Sequence, residues 1–510
     1  MTVTTRPPDS AAVHDGRHLA RGAAANALVL VASNFRAVFT FLIARVLGEA
    51  ALGRFGLAFA TVDLLSRVAS LGLESAVVPF VARAEARGDR GRTRQVFAGS
   101  VALGLAVSAL IVAAGVPALL WFARARGADA FTGGAAWMLF ALPGIVVGRI
   151  CTGVSRGLLA MRSEFYSRGL GETWITTGVF ALAVALGVRD LAPALAVVCG
   201  ATGGAVIALA LASHAVASSP RRPANPEAAS GRGADGGLLR FSVPIALSGL
   251  LNTLAQRVDV LILGAFVNRA PGVTIESFGV FCAAVEIAGG LRKVRQVFDP
   301  ILVPVAAARH VTDGRALRQT VAGPARWVLA GQLPVVGLLT LAGGAVLAIY
   351  GPAFRVGWLW LALLSLAHAT NSFGGLVETL LMIERPSLNL LNAAVTVAVQ
   401  ALAAVLLIPA FGVTGAAVAM CLGFAVQGAL RFVELRHVFG WSWPWRSLAR
   451  PAAAFAIAFA PAVALRVLGG PGLEVPSGLV LVAGYALAWW WMGPDPADRE
   501  IWRQLVQRRS

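Results

Sequence analysis

The sequence predicts an all-α, polytopic membrane protein of about fourteen transmembrane helices: two pseudo-symmetric six-helix lobes followed by two C-terminal helices. Three observations predict this. First, the 510 residues are 57% hydrophobic and 13% charged, with a mean hydropathy of +0.75, whereas a soluble domain carries about 25% charged residues. Second, apolar runs of about 20 residues recur from end to end, each long enough to cross a bilayer as a helix. They lack the period-2 alternation of an outer-membrane barrel. Third, the chain repeats itself. Gly53-Arg54-Phe55-Gly56, Val78-Pro79-Phe80-Val81-Ala82-Arg83, Gly91 and Arg94-Gln95 return as Ser277-Phe278-Gly279, Val303-Pro304-Val305-Ala306-Ala307, Gly314 and Arg318-Gln319. The offset stays near 223–225 positions. Both copies start on the same side of the membrane, so their axis runs along the membrane normal.

In chain order, the apolar runs place spans at 26–46, 55–80, 96–120, 135–158, 170–188, 191–213, 241–266, 277–305, 321–350, 356–382, 388–409, 413–436, 451–468 and 475–493. A polar tail (1–25) precedes them and has no signal-peptide pattern. The first lobe is 26–217 and the second 241–437. Between them, 218–240 is rich in Pro, Gly and charge and reads as a linker. Spans 13 and 14 fill 438–493, outside the repeat, and 494–510 reads as an interfacial amphipathic helix with Ile501, Trp502, Leu505 and Val506 on one face. The Trp441/Trp443/Trp445 and Trp489/Trp490/Trp491 groups read as aromatic belts. Pro79, Pro143, Pro193, Pro244, Pro304 and Pro334 lie within spans and are expected to kink them.

The net charge of +18 would suggest nucleic acid on a soluble protein. Here the cations sit between spans. With a cytoplasmic N-terminus, 27 arginines fall on the inner side and 8 on the outer, the inner set including Arg431 and Arg436. That is the asymmetry of the positive-inside rule, and it places both termini in the cytoplasm. Cys151, Cys199, Cys282 and Cys421 all lie in apolar runs without ligand spacing, so neither disulfide nor metal site is expected.

Charges inside the spans are the candidates for function, because a charge at membrane depth normally faces a bundle interior or a wet cavity. Asp63, Arg67 and Glu74 are spaced i, i+4 and i+11, on one helix face. Glu286, Arg292, Lys293, Arg295 and Asp299 lie in the repeat counterpart. Arg36 is mid-span, too deep to snorkel. Arg149, Arg257, Asp259 and Glu378 add charge to spans 4, 7 and 10. Glu172 sits near a span end and reads as interfacial, and His368 as a packed histidine. Two readings of the sets stand open. They line a polar pathway whose guanidiniums attract phosphate or acidic groups, or they are internal ion pairs that pin helices together.

Several stretches carry a family resemblance. Phe41 to Leu57 (FLIARVLGEAALGRFGL), Leu71-Gly72-Leu73 with Ala76 to Pro79, Asp259 to Gly264 (DVLILG) and Leu407 to Ala419 (LIPAFGVTGAAVA) together resemble flippases of the polysaccharide-biosynthesis type. That family shares a superfamily with the multidrug and toxin extrusion (MATE) exporters and the lipid II flippases. Glu49 and Ala50 depart from its frequent Gly-Pro. The resemblance implies two six-helix lobes around a central cavity that alternates its access. It further implies carriage of undecaprenyl-pyrophosphate-linked oligosaccharide from the inner to the outer face of the bacterial inner membrane. Expected partners are then the lipid-linked glycan, the bilayer, and a glycan polymerase with its chain-length machinery; nucleic acid is not one. No Walker motif is present, so no nucleotide cofactor is expected, and an H+ or Na+ gradient is the candidate energy source. The substrate-pathway residues on this reading are Arg36, Asp63, Arg67, Arg149, Arg257, Asp259, Glu286, Arg292, Lys293 and Glu378. A cation-coupled exporter of the MATE type is the first alternative, although carboxylates should dominate its cavity. A membrane glycan polymerase or ligase is the second; every outer loop is short for an enzyme of that kind. No catalytic residue is expected.

Overall fold

The structure is a computed structural model, and it describes residues 35–126, 134–160, 162–218, 237–296, 314–440 and 445–493. All regular structure among them is helical. Backbone polar groups have no water partners in a hydrocarbon layer, so an apolar chain must satisfy them within helices.

The helices are α1 (Phe35–Leu47), α2 (Glu49–Ser70), α3 (Leu73–Ala86), α4 (Arg90–Arg126), α5 (Leu142–Gly157), α6 (Thr173–Ala185), α7 (Ala192–Ser218), α8 (Leu238–Leu254) and α9 (Val258–Ala265). Then come α10 (Ile275–Gly289), α11 (Leu291–Gln296), α12 (Gly314–Leu341), α13 (Gly343–Ala348), α14 (Trp358–Glu384), α15 (Pro386–Phe411), α16 (Val413–Phe439), α17 (Trp445–Gly469) and α18 (Glu474–Met492). A π-helical stretch, Phe165–Glu172, leads into α6. Ten helices among the described residues are long and apolar enough to cross a membrane, and the bent pair α8–α9 makes an eleventh. The remaining predicted spans correspond to the π-helix with α6, and to α1 and to α10 with α11, whose predicted ranges extend beyond the described residues.

Local chemistry sets several boundaries. Asp89 accepts the Arg92 backbone N–H at 2.8 Å and so caps the start of α4. Thr274 and Ser277 exchange side-chain-to-backbone bonds of 2.9 and 3.2 Å at the start of α10, a reciprocal cap. The tight turn expected around Pro409 and Gly412 is a single residue. Gly412, at φ +56°, ends α15, and α16 begins at once.

The expected proline kinks are only partly present. Pro193 occupies the first turn of α7, where a missing N–H breaks no bond, and Pro143 follows a 3-10 turn, Met138–Ala141, inside the apolar span Met138–Gly157. Pro79, Pro244 and Pro334 lie inside α3, α8 and α12, and Pro304 falls outside the described residues. Breaks without a proline lie elsewhere. Leu71 and Gly72 both adopt left-handed backbone between α2 and α3. Between α8 and α9 the axis bends by 58° at Ala255-Gln256-Arg257.

Packing divides the chain into two compact units, 33–279 and 280–510 with 1–32. The pair α8–α9, which the repeat assigns to the second half, packs on α2 and α3 in the first unit. Within that unit α2 to α9 are held by close backbone approaches. A Cβ on Gly72 would fall 2.6 Å from the Ser242 carbonyl oxygen and 2.7 Å from the Ala246 nitrogen. The second unit buries two apolar cores. Leu376, Leu380, Leu381 and Leu435 build one; Ala454, Ala458, Leu481 and Tyr485 build the other, between α17 and α18.

Two glycines separate backbone strain from contact. Gly48 (φ +86°) has open space where a Cβ would go, and Gly72 (φ +72°) does not. Gly48→Ala should cost about 1–2 kcal/mol of left-handed strain alone. Gly72→Ala should add an overpacking cost of about 1–3 kcal/mol. Thermal melting of the detergent-solubilised chain should show the larger drop for Gly72→Ala.

A candidate functional site in the first unit

The site is built on four segments, α2, α3, α5 and the break before α9. Two glycines let α5 lie against α3. A Cβ on Gly153 would sit 2.2 Å from the Glu74 carbonyl oxygen, and one on Gly157 would sit 2.9 Å from that of Val78. This approach carries Arg149, one turn earlier on α5, to the side chains of α2 and α3. Gly264 meanwhile seats α9 against Leu57 of α2, which keeps the break beside Asp63.

The charges meet as an alternating ladder, Arg67–Glu74–Arg149–Asp63–Arg257. Arg67 Nη1 donates to Glu74 Oε1. Arg149 Nε lies 3.9 Å from Glu74 Oε2, and its Nη2 donates to Asp63 Oδ1 at 3.1 Å. Its Nη1 donates to Ser66 Oγ at 2.8 Å, and that hydroxyl donates to the Asp63 carbonyl at 2.6 Å. Arg257 Nε stands 3.5 Å from Asp63 Oδ2, with its guanidinium 5.9 Å from the centre of the Phe59 ring. Among the described residues each carboxylate is thus shared by two guanidiniums, and three cations of the ladder face two anions. Arg149 is the inner member, its side chain 10% exposed; Arg67 is an open end at 33%. The Arg67 Nε is buried with no hydrogen-bond acceptor among the described residues.

Asp63, Arg67 and Glu74 share one ladder but not one unbroken helix. The helix stops at Ser70, and Glu74 belongs to α3. Arg67 and Glu74 meet across the left-handed Leu71-Gly72 step, within one apolar span that runs from Glu49 to Ala86. Arg257 ends a non-helical break, while Asp259 lies in the first turn of α9 and is 2% exposed.

Of the candidates, the structure gathers Asp63, Arg67, Glu74, Arg149 and Arg257, and adds Ser66. Asp259 lies two residues beyond the ladder on α9. Arg36 is in α1, and its side chain lies outside the description. Glu286, Arg292 and Lys293 are partly buried on α10 and α11 of the second unit, and Asp299 falls outside the described residues. Glu378 makes a separate pair. Arg431 Nη2 donates to Glu378 Oε2 at 2.8 Å, and Arg431 Nη1 lies 3.2 Å from Asn371 Oδ1. Nearby, Arg295 Nη1 donates to the Gly375 carbonyl at 3.1 Å. Arg431 is therefore not one of the loop cations behind the charge asymmetry. It lies inside α16 with a side chain 2% exposed. Its nearness to Glu434 and Arg436 made it resemble a loop charge, although the apolar run around it continues to Phe439. His368 is buried on α14 with its ring 5.9 Å from that of Phe424.

A family model described as polysaccharide biosynthesis protein matches residues 19–291, which includes every member of the ladder. No curated protein is significantly similar to the chain. Solved structures are. An inward-facing multidrug-resistance MATE-family transporter of the MOP superfamily superposes with a TM-score of 0.66 at 17% identity, over 81% of this chain and 94% of that one. The lipid II flippase MurJ, inward closed, gives 0.67 at 12%, over 90% and 97%. A MOP-superfamily transporter from Pyrococcus furiosus, described by a reverse polarity of its binding pocket, gives 0.58 at 17%, over 86% and 99%. At these identities the likeness establishes the fold. It agrees with the many-helix class read from the sequence.

Arg149 carries two carboxylates. Removing it leaves Asp63 with Arg257 alone and Glu74 with Arg67 alone, and the lost charged hydrogen bonds should cost about 1.5–3 kcal/mol. Arg67→Ala, at the open end, should cost about 1 kcal/mol or less. Chemical denaturation of the two variants should rank them in that order. Arg149→Lys should not restore stability, because a single ammonium cannot span Ser66, Asp63 and Glu74.

Proposed function

The chain belongs to the polysaccharide biosynthesis protein family, and from that premise we propose that it flips a lipid-linked oligosaccharide from the inner to the outer face of the bacterial cytoplasmic membrane. The lipid carrier is of the undecaprenyl-pyrophosphate type. The observation that carries this reading is the ladder: three guanidiniums against two carboxylates inside an apolar helical unit. Excess Arg at membrane depth favours an anionic guest, since guanidinium binds phosphate bidentately and strongly. The buried Arg67 Nε supplies a donor for such a guest. The likeness to a lipid II flippase supports the same class of cargo.

On this reading the diphosphate enters a polar pathway while the polyprenyl tail stays in lipid, and two lobes alternate access. Glu286, Arg292, Lys293 and Glu378 belong to the other lobe's share of that pathway, and Arg36 and Asp259 to this one's. Both termini are cytoplasmic, and an H+ or Na+ gradient or consumption of product outside drives the cycle. A glycan polymerase and chain-length machinery take up the product. The competing reading is a cation-coupled exporter, which the equally good superposition on a MATE-family transporter keeps in view. The ladder's net positive charge disfavours organic cations as cargo.

Deleting the gene and assaying lipid-linked glycan on each membrane face tests the reading. The account expects substrate to accumulate on the inner face. Normal outward delivery, in a strain without a redundant transporter, would contradict it. In the complemented strain, Arg67→Ala at equal protein level should lower export about tenfold, the scale of one lost charge-assisted contact of about 1.4 kcal/mol.

A further inference from the structure

The two oxygens of Asp63 do different work. Oδ1 holds Arg149, which sits on α5, and α5 is fixed on α3 by the Gly153 and Gly157 approaches. Oδ2 faces Arg257, which sits at the end of the 58° break between α8 and α9. The backbone there makes three-residue turns, Gln256 N–H to the Thr253 carbonyl and Arg257 N–H to that of Leu254, before the helix resumes. A change of angle at this point breaks no long helical ladder. The Asp63–Arg257 ion pair therefore ties a ready-made hinge to a rigid part of the same unit.

An ion pair in such a setting exchanges only against another ion, because a lone guanidinium is costly there. The two ends of the ladder differ in how they could exchange. Taking Arg67 from Glu74 would leave that carboxylate with Arg149 Nε at 3.9 Å. Taking Arg257 from Asp63 leaves Asp63 on its 3.1 Å bond to Arg149, so no charge is stranded. The exchangeable cation is the one at the hinge. A phosphate would offer Arg257 a bidentate partner in place of a carboxylate oxygen at 3.5 Å.

We propose that Asp63 is a resident counter-ion in the place of the substrate's phosphate, and that an entering phosphate takes Arg257 from it and frees the α8–α9 bend. This rests on the anionic-substrate reading above. It gives the ligand a differential interaction with two states of one element, which any ligand-driven change requires. The carboxylate keeps the empty site neutral enough to remain folded and keeps Arg257 poised. The substrate is then coupled to movement through one contact.

The test uses the full-length chain in nanodiscs, with its native cysteines replaced. Spin labels go on Leu247→Cys of α8 and Ala265→Cys of α9, both exposed positions. Pulsed electron–electron resonance then reports their separation. A swing of about 20° over eight residues of 1.5 Å rise moves the far end of α9 by about 4 Å. Inorganic pyrophosphate should shift the unmodified chain by that amount. Asp63→Asn should show the shifted distribution before any addition, and Asp63→Glu should behave as the unmodified chain does. If Asp63→Asn does not fold, Arg257→Gln removes the same tie from the other side and carries the same expectation. An Asp63→Asn distribution identical to the unmodified one would overturn the proposal, as would an unmodified chain that pyrophosphate leaves unmoved. If the bend responds as expected but the gene deletion leaves glycan delivery intact, the flippase reading fails and the counter-ion survives for another anion. If delivery depends on the gene while the bend never responds, the counter-ion fails and the reading stands.

Discussion

A charged side chain cannot stay unpaired in an apolar helical interior, and in this protein the pairing is mutual rather than to lipid or loop. Asp63 and Glu74 each sit between two guanidiniums, and Arg149 joins the carboxylates. One ladder thereby fastens α2, α3, α5 and the break before α9. Among the described residues the ladder's cations outnumber its anions, and the proposed anionic guest rests on that imbalance. On the proposed reading stability and transport draw on the same side chains, so most single changes here should disturb both.

The ladder exists because of features that carry no charge. Gly153 and Gly157 bring α5 against α3, and Gly72 lets the break between α2 and α3 press on the backbone of α8. A methyl group at any of these would push apart the elements whose side chains must meet. The break itself places Glu74 within reach of Arg67. In the second unit the pattern differs. Arg431 reaches Glu378 and Asn371 from α16, and Arg295 bonds the Gly375 carbonyl. Arg295 lies in the repeat counterpart of the Arg67 segment, whereas Arg431 comes from α16, so the two sets match only in part.

The class of fold was legible because it depends on sums. Long apolar runs, their lengths and the offset between halves need no knowledge of partners, and the helices fall where those runs lie. Helix breaks were less legible. Leu71-Gly72 and Ala255-Gln256-Arg257 interrupt apolar runs without a proline, so composition does not mark them, whereas Pro193 proved to be in the first turn of its helix. The site was half legible. Charge at depth singled out Asp63, Arg67, Arg149 and Arg257 individually. Which of them meet depends on turns and glycine approaches between distant segments. Arg431 was misread because neighbouring charges masked a helix that runs on to Phe439. Sequence left two readings of the charges open, pathway or internal pairing. The geometry shows pairing, and the surplus cation leaves the pathway reading to be argued on charge.

The account depends on Asp63 and Arg149 being partners across two helices in the folded membrane protein. A double-mutant cycle measures that directly, with Asp63→Asn, Arg149→Gln and the combined variant unfolded reversibly in mixed micelles. The account predicts a coupling of about 1–3 kcal/mol, with the double variant less damaged than the sum of the singles. Effects that add to within about 0.5 kcal/mol would show that the two side chains do not meet, and the ladder would fall with them.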